Sequence, residues 1–472
     1  MSIKISKKDI AWSYIAKFFQ VAAGFFTLPF VLHILTKEEV GLNYLMGTVS
    51  AMVGLIDFGF SPQFGRNFAM INSGAQRLLK EGLDKNTDEH ASINYRLLQT
   101  TIKTAQFVYR RLSIVAFLLM ITAGTVYIYS VTEGFSLVKN SFLIWIIFSV
   151  SVYFNIYFSY YIGLLNGSGK IAESNQASIL SKVVNIAISI SMLYAGCGLF
   201  SIVVANLIAP FLQRYYAYHC YFTPELKVKL HYDDITKQDV KDTFDIIWYN
   251  AKKLGINFIC VYVIMKFGMF LAGLYLTLSE VGQYGLLVQL TSILIGLGTG
   301  FYITIEPQLI GYNVNGEREK LQRKFSMSMV VFYVVMITGG LTITYIAPLV
   351  LHLIKSNTSL PSATICLLYI TIITLEYNHS IFGGLIATEN KFPFVKAYVI
   401  SSIGVLALSF IFLQFTNLRI LGVVLAEGLA EVVYNNWHWP IVANKRFGLN
   451  FKIILSLGTK ELYGQALKLI HK

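Results

Sequence analysis

Apolar residues fill the chain in runs of about 20 to 30, each closed by a short polar segment, and a helix of that length crosses a hydrocarbon layer of roughly 30 Å. About twelve spans are predicted on this spacing: Trp12–Leu35, Val40–Ala69, Phe107–Val131, Ser141–Leu165, Ile171–Ala195, Leu199–Tyr221, Trp248–Leu274, Val281–Tyr312, Phe325–Ile354, Pro361–Thr388, Phe392–Phe415 and Leu418–Trp439. The pattern predicts an all-α, polytopic membrane protein. Two polar segments, INYRLLQTTIKTAQF and FKIILSLGTKELYGQALKLIHK, have helical spacing of their own. Each reads either as a helix on the membrane surface or as an ordinary connecting helix.

The second span breaks its own pattern. Between Leu55 and Phe68, in LIDFGFSPQFGRNF, the apolar run admits Asp57, Gly59, Pro62, Gly65 and Arg66. Broken helix and charge are tolerated in a membrane only inside protein or against a wet cavity, so this stretch reads as cavity wall or as a helix end. Asp57 and Arg66 lie nine residues apart, on opposite faces of a straight helix; pairing them requires the helix to break at Pro62.

The spans repeat. LTKEEVG (Leu35 to Gly41) joins spans one and two, and LTLSEVG (Leu276 to Gly282) joins spans seven and eight. Trp12, Ala16 and Lys17 are answered in order by Trp248, Ala251 and Lys252, Gly59-Phe60 by Gly300-Phe301, Pro62-Gln63 by Pro307-Gln308, and Val203-Val204 by Val423-Val424. Each half holds six spans and starts and ends on the same side, so the halves are parallel repeats about the membrane normal, with a cavity between them. The expected organisation is an N-terminal lobe over 1–221 with a cytoplasmic loop at 71–106, a linker at 222–247, a C-terminal lobe over 248–444 and a basic tail at 445–472.

Composition agrees. The 472 residues are 55% hydrophobic and only 13% charged, too apolar for a soluble domain of this length. The net charge of +13 lies in the segments between spans, which excludes a nucleic-acid surface and points to lipid headgroups. With both termini cytoplasmic, the outside segments hold only Lys37, Lys139, Lys355 and Arg419 of the 38 Lys and Arg, as the positive-inside rule requires. No signal-peptide cleavage site follows the first run, and the four cysteines have no metal-ligand spacing. Asn166-Gly167-Ser168-Gly169-Lys170 lacks the glycine spacing of a phosphate loop and reads as a turn.

Ionisable residues inside spans are the candidates for function, because each costs about 2.5 to 3.5 kcal/mol to insert at mid-membrane. Lys17, Arg66, Lys182, Lys252 and Lys266 are assigned to a cationic substrate cavity; for those near the inner ends, snorkelling to headgroups is the competing reading. Lys252 and Lys266, fourteen residues apart, stand about 40° from alignment and about 21 Å apart along one helix. Asp57, Glu306, Glu376, His379 and Glu427 are assigned to ion coupling or gating. Glu376 and His379 share a helix face, suited to a proton relay or a structural hydrogen bond, and Glu427 with Glu431 forms an i,i+4 pair able to share a proton. No nucleophile and base pair, metal set or nucleotide loop stands out, so the chain reads as a transporter rather than an enzyme, without cofactor or metal. Its energy is then an H+ or Na+ gradient, the membrane potential or the substrate gradient.

Twelve spans in two parallel halves, the L-T-x-x-E-V-G hairpins and the D-F-G-F-S-x-x-x-x-R stretch from Asp57 to Arg66 resemble the Wzx-type polysaccharide flippases. These belong to the MOP superfamily, with the MATE drug exporters and the lipid II flippases. The resemblance covers nearly the whole chain. It implies two six-helix lobes around a central cavity and translocation of an undecaprenyl-diphosphate-linked oligosaccharide across the bacterial inner membrane, for O-antigen, lipopolysaccharide or other surface polysaccharide. It implies a polysaccharide polymerase, assembly proteins and membrane lipids as partners. The alternative is a MATE-like, ion-coupled multidrug exporter, whose cationic cargo calls for an acidic cavity; the seven cations and five anions of the spans speak against it.

Overall fold

The structure, a computed structural model, describes residues 7–80, 93–230, 234–389 and 393–470. Every regular element among them is a helix. The chain divides into two compact units between Ile259 and Cys260. The first contains α1 (Lys7–Ile34), α2 (Lys37–Gly54), α3 (Phe60–Asn72), α4 (Tyr95–Leu119), α5 (Thr125–Val131), α6 (Ser141–Phe158), α7 (Tyr160–Gly167), α8 (Ile171–Tyr194), α9 (Phe200–Tyr221), α10 (Pro224–Lys229) and the start of α11 (Lys237–Tyr275). The second contains the rest of α11, then α12 (Leu278–Val314), α13 (Arg318–Leu341), α14 (Ala347–Leu353), α15 (Ala363–Ala387), α16 (Val395–Phe415), α17 (Ile420–Val432), α18 (Asn435–Phe447) and α19 (Phe451–Ile470). The segment 222–247, expected as a linker, thus holds α10 and the first turns of α11.

Eight helical stretches among the described residues are long and apolar enough to cross a membrane, and they coincide with expected spans two to five and eight to eleven. The expected first, sixth, seventh and twelfth spans fall on α1, α9, α11 and the α17–α18 pair, outside those eight.

The repeated L-T-x-x-E-V-G turns have a local cause. Thr36 and Thr277 are N-cap residues in extended backbone; each hydroxyl accepts the N–H three residues on, and Glu39 or Glu280 reaches back to the cap N–H. Each motif is a capping box, which starts α2 in one unit and α12 in the other. A second echo is invisible in sequence. A π-helical turn at Met120–Gly124 joins α4 to α5, and another at Thr342–Ile346 joins α13 to α14.

The halves differ at the break. After α2 a 3₁₀ turn, Leu55–Asp57, leads to Phe58 (φ 44°) and Gly59 (φ 83°), both left-handed, before α3 begins. In the second unit α12 runs unbroken through Gly300-Phe301. The break lies at Phe58-Gly59 and not at Pro62, which sits in the first turn of α3, where a missing N–H costs nothing. Phe60, Phe64, Phe68 and Ile71 then recur at helical spacing on the buried face of α3, against Tyr109, Tyr160 and Tyr161.

The two helical polar segments are also resolved. INYRLLQTTIKTAQF is the N-terminal part of α4 and continues into the third span, so it is no separate surface helix. The tail forms α19, which packs along α13; Lys324 meets Glu461 at 3.1 Å. The Asn166–Lys170 segment closes in a turn, where Lys170 Nζ donates to the Cys220 carbonyl at 2.7 Å.

Candidate functional site

Two polar sites, one in each unit, stand out among the described residues. In the first, α8 packs on α1 and α9, and α6 on α9, around a cavity of about 400 Å³. Its polar wall is Asn155, Asn175, Lys182, Asn185, Asn206 and Gln213, with Phe19 opposite. Pro210 lies inside α9 and withholds the N–H that the Asn206 carbonyl would otherwise receive. Asn185 Nδ2 donates to Asn206 Oδ1 at 2.9 Å, and Ser181 Oγ to the Ala209 carbonyl at 3.2 Å, so α8 and α9 are tied by side chains beside this proline. Among the described residues Lys182 is the only ionisable one of the lining. Amides and hydroxyls offer both donors and acceptors, and one ammonium adds a positive charge. A lining of that kind favours a polyol or an anion over a cation.

The second site lies among α15, α16, α17 and α18. Glu376 and His379 from α15 and Glu431 from α17 are buried, and one ligand atom of each lies within 4.8 Å of the others. His379 Nε2 is 3.8 Å from Glu376 Oε1, and its Nδ1 is 3.0 Å from Asn436 Oδ1; in the tautomer that donates Nδ1–H to that oxygen, Nε2 carries the lone pair. Asn435 Nδ2 donates to Glu431 Oε2 and to Ser401 Oγ, both at 2.8 Å, and Trp439 Nε1 donates to Asn435 Oδ1 at 2.8 Å. Glu376 Oε2, His379 Nε2 and Glu431 Oε1 are buried without a hydrogen-bond partner. Unsatisfied polar atoms on three clustered side chains in a low-dielectric interior can be satisfied by a proton or a small cation.

The assigned residues disperse over these units. Lys182 lines the first cavity. Arg66 is exposed on α3, and Lys252 is exposed with its ammonium 5.3 Å from the Tyr249 ring. Lys17 follows the cavity residue Ala16, and its own side chain lies outside the described residues. Lys266 is half-buried in the second unit and interacts electrostatically with Glu427. Asp57 does not meet Arg66: its carboxylate accepts the Ser61 N–H at 3.0 Å and the Tyr109 hydroxyl at 2.9 Å, holding the start of α3. Glu306 is half-buried on α12, one turn beyond Tyr302. Glu376 and His379 stand side by side on α15 with Glu431 as the third member of their cluster, while Glu427 interacts electrostatically with Glu376, Glu431 and Lys266.

Phe58 belongs to a further arrangement in the first unit. Its ring stacks on Trp248 at 5.6 Å and fills a slot made by Gly255, where a Cβ would stand 2.5 Å from the ring carbons. Phe60 and Phe244 continue the stack.

No family model matches the sequence, and no curated protein matches it. Solved structures do. An inward-facing conformation of a multidrug resistance MATE family transporter of the MOP superfamily matches with TM-score 0.61 at 14% identity, over 94% of this chain and 98% of that one. The lipid II flippase MurJ, in an inward closed conformation, matches with TM-score 0.62 at 15% identity, over 98% and 93%. The MATE multidrug transporter DinF-BH matches with TM-score 0.55 at 14% identity, over 96% and 97%. The chain therefore shares the all-helical fold of these structures, which are transporters and a flippase rather than enzymes.

Proposed function

We propose that the chain is a flippase, which moves an undecaprenyl-diphosphate-linked oligosaccharide across the bacterial inner membrane by alternating access. The cavity of the first unit carries this reading: the polar part of its lining is amide and hydroxyl, with Lys182 as the one ionisable residue and no carboxylate among the described residues. Sugar hydroxyls match such a wall group for group, and Lys182 matches a phosphate or an acidic sugar. Lys17, Arg66, Lys252 and Lys266 are further cations for the diphosphate. Both termini face the cytoplasm in this reading, and the Glu376, His379 and Glu431 cluster takes the coupling proton or Na+. Lys182→Met and Asn206→Leu test it in cells that depend on the chain for surface polysaccharide. Both variants should stay in the membrane at normal level while lipid-linked oligosaccharide accumulates on the cytoplasmic leaflet. Normal translocation by both would overturn the reading.

A second reading, an ion-coupled multidrug exporter, is favoured by one observation: the buried carboxylates Glu376, Glu427 and Glu431 of the second unit. Drug efflux by the chain, lost in Glu427→Gln and kept in Lys182→Met, would select it.

A further inference from the structure

We propose that the groove between α16, α17 and α18 is a binding site for one anionic glycerophospholipid, with its phosphate on Lys396 and an acyl chain laid along α16. The groove holds about 480 Å³ and is walled by Ile400, Gly404, Leu408, Val433 and Trp439, with Lys396 at one end. Lys396 lies in the first turn of α16, at the N-terminal end of the apolar stretch that runs to Phe415, within reach of the headgroups by snorkelling. From Lys396 to Leu408 the helix rises about 18 Å, close to the half-thickness of a hydrocarbon layer of roughly 30 Å. The groove therefore has the depth of one leaflet, with its charge where the phosphate of that leaflet lies.

The walls select for chemistry as well as length. Among the described residues no carboxylate lines the groove, and Lys396 is its charged group. Two of the polar side chains of the wall, Ser401 and Trp439, are engaged with the protein, and the Tyr434 hydroxyl is a further polar group of the lining. Ser401 Oγ accepts from Asn435 at 2.8 Å, and Trp439 Nε1 donates to Asn435 at 2.8 Å. Apart from Lys396 and Tyr434, what remains along the groove is apolar surface, against which the hydroxyls of a glycan would be left unsatisfied and an acyl chain would not. Gly404 forms part of the floor; a Cβ there would meet the Ala430 Cβ at 3.3 Å. An ammonium at a helix end snorkels towards any headgroup, but a groove beneath it adds a fixed register for one chain, which is what separates a site from the bulk bilayer.

The full chain, purified and delipidated in a neutral detergent, is titrated with phosphatidylglycerol and separately with phosphatidylcholine of the same acyl chains, and retained lipid is counted by native mass spectrometry. One phosphatidylglycerol should be retained at concentrations at least tenfold below those needed for phosphatidylcholine. Lys396→Gln should abolish that tenfold preference, and Lys445→Gln, an exposed lysine outside the groove, should keep it. Gly404→Leu should lower retention of both lipids by filling the groove, with folding checked by thermal unfolding. Equal retention of the two lipids, or an unchanged preference in Lys396→Gln, overturns the proposal. So does displacement of phosphatidylglycerol by a polyprenyl monophosphate at equal concentration, which would give the groove to a carrier lipid.

Discussion

Glu39 Oε1 accepts the backbone N–H of Leu199 at 3.0 Å while its Oε2 accepts the Thr36 N–H at 3.0 Å, so one carboxylate both caps α2 and holds the turn that leads into α9. In the second unit Glu280 caps α12 and takes the guanidinium of Arg419, in the turn that leads into α17. The repeated glutamate thus ties the second helix of its unit to the loop before the last span. A carboxylate can accept with both oxygens, whereas an amide has one acceptor oxygen. Glu39→Gln should therefore lose one of the two bonds, about 1 kcal/mol, and Glu39→Ala about twice that. Thermal unfolding of the purified protein in detergent measures both. Equal stability of Glu39→Gln and the wild type would show that the Leu199 contact contributes nothing.

What could be read in the chain followed the range of the interactions. The capping boxes are confined to four residues, so the hairpins of both halves are visible as a repeated motif. Pro62 looks like the breaker of span two, yet a proline in the first turn of a helix breaks nothing. The break is at Phe58, whose left-handed backbone has no local signal, because the slot at Gly255 that receives its ring comes from a helix almost two hundred residues away. Glu376 with His379 was legible by spacing, but whether Glu427 or Glu431 turns to them depends on how α17 packs on α15. The amides Asn155, Asn175, Asn185, Asn206 and Gln213 went unseen because the cost of insertion draws attention to charges alone. Four asparagines and a glutamine within three apolar runs were the available signal.

The Phe58 arrangement predicts a suppressor. A non-glycine residue in the left-handed region costs roughly 1 to 2 kcal/mol, and Phe58 recovers it through the stack on Trp248 and the fit to Gly255. Gly255→Val should intrude on the ring and lower stability by about 1 to 3 kcal/mol. Phe58→Gly removes the ring and relieves the backbone, so the double variant should recover part of the loss. Yield of monodisperse protein and the unfolding midpoint report on it. A Gly255→Val single variant as stable as the wild type would rule the slot out.

Orientation can be measured independently of substrate. Single cysteines at the exposed positions Lys37 and Lys139 should react with an impermeant maleimide added to intact cells, and cysteines at Asp234 and Glu319 should react only after permeabilisation. The expectation rests on the few Lys and Arg in the outside segments. Labelling of Asp234→Cys in intact cells would invert the topology and with it the direction of transport.

The cluster of Glu376, His379 and Glu431 makes the last prediction. Buried acceptors left without a donor destabilise the folded state, and a ligand that satisfies them only there restores the loss in proportion to its occupancy. If the ligand is Na+, the unfolding midpoint of the purified protein should rise as NaCl replaces choline chloride at fixed pH and ionic strength, the stabilisation reaching about 2.7 kcal/mol at a hundredfold excess over Kd. Glu431→Gln and Glu376→Gln each remove a charged ligand atom, so both should lose that response, while Glu133→Gln in an exposed loop should keep it. The amide variants also supply an N–H to the remaining carboxylate. In the absence of Na+ they should therefore be at least as stable as the wild type, a result that a merely structural ion pair would reverse. A midpoint indifferent to Na+ in the wild type removes Na+ from the site. An unaltered Na+ response in both amide variants places the ion elsewhere in the chain.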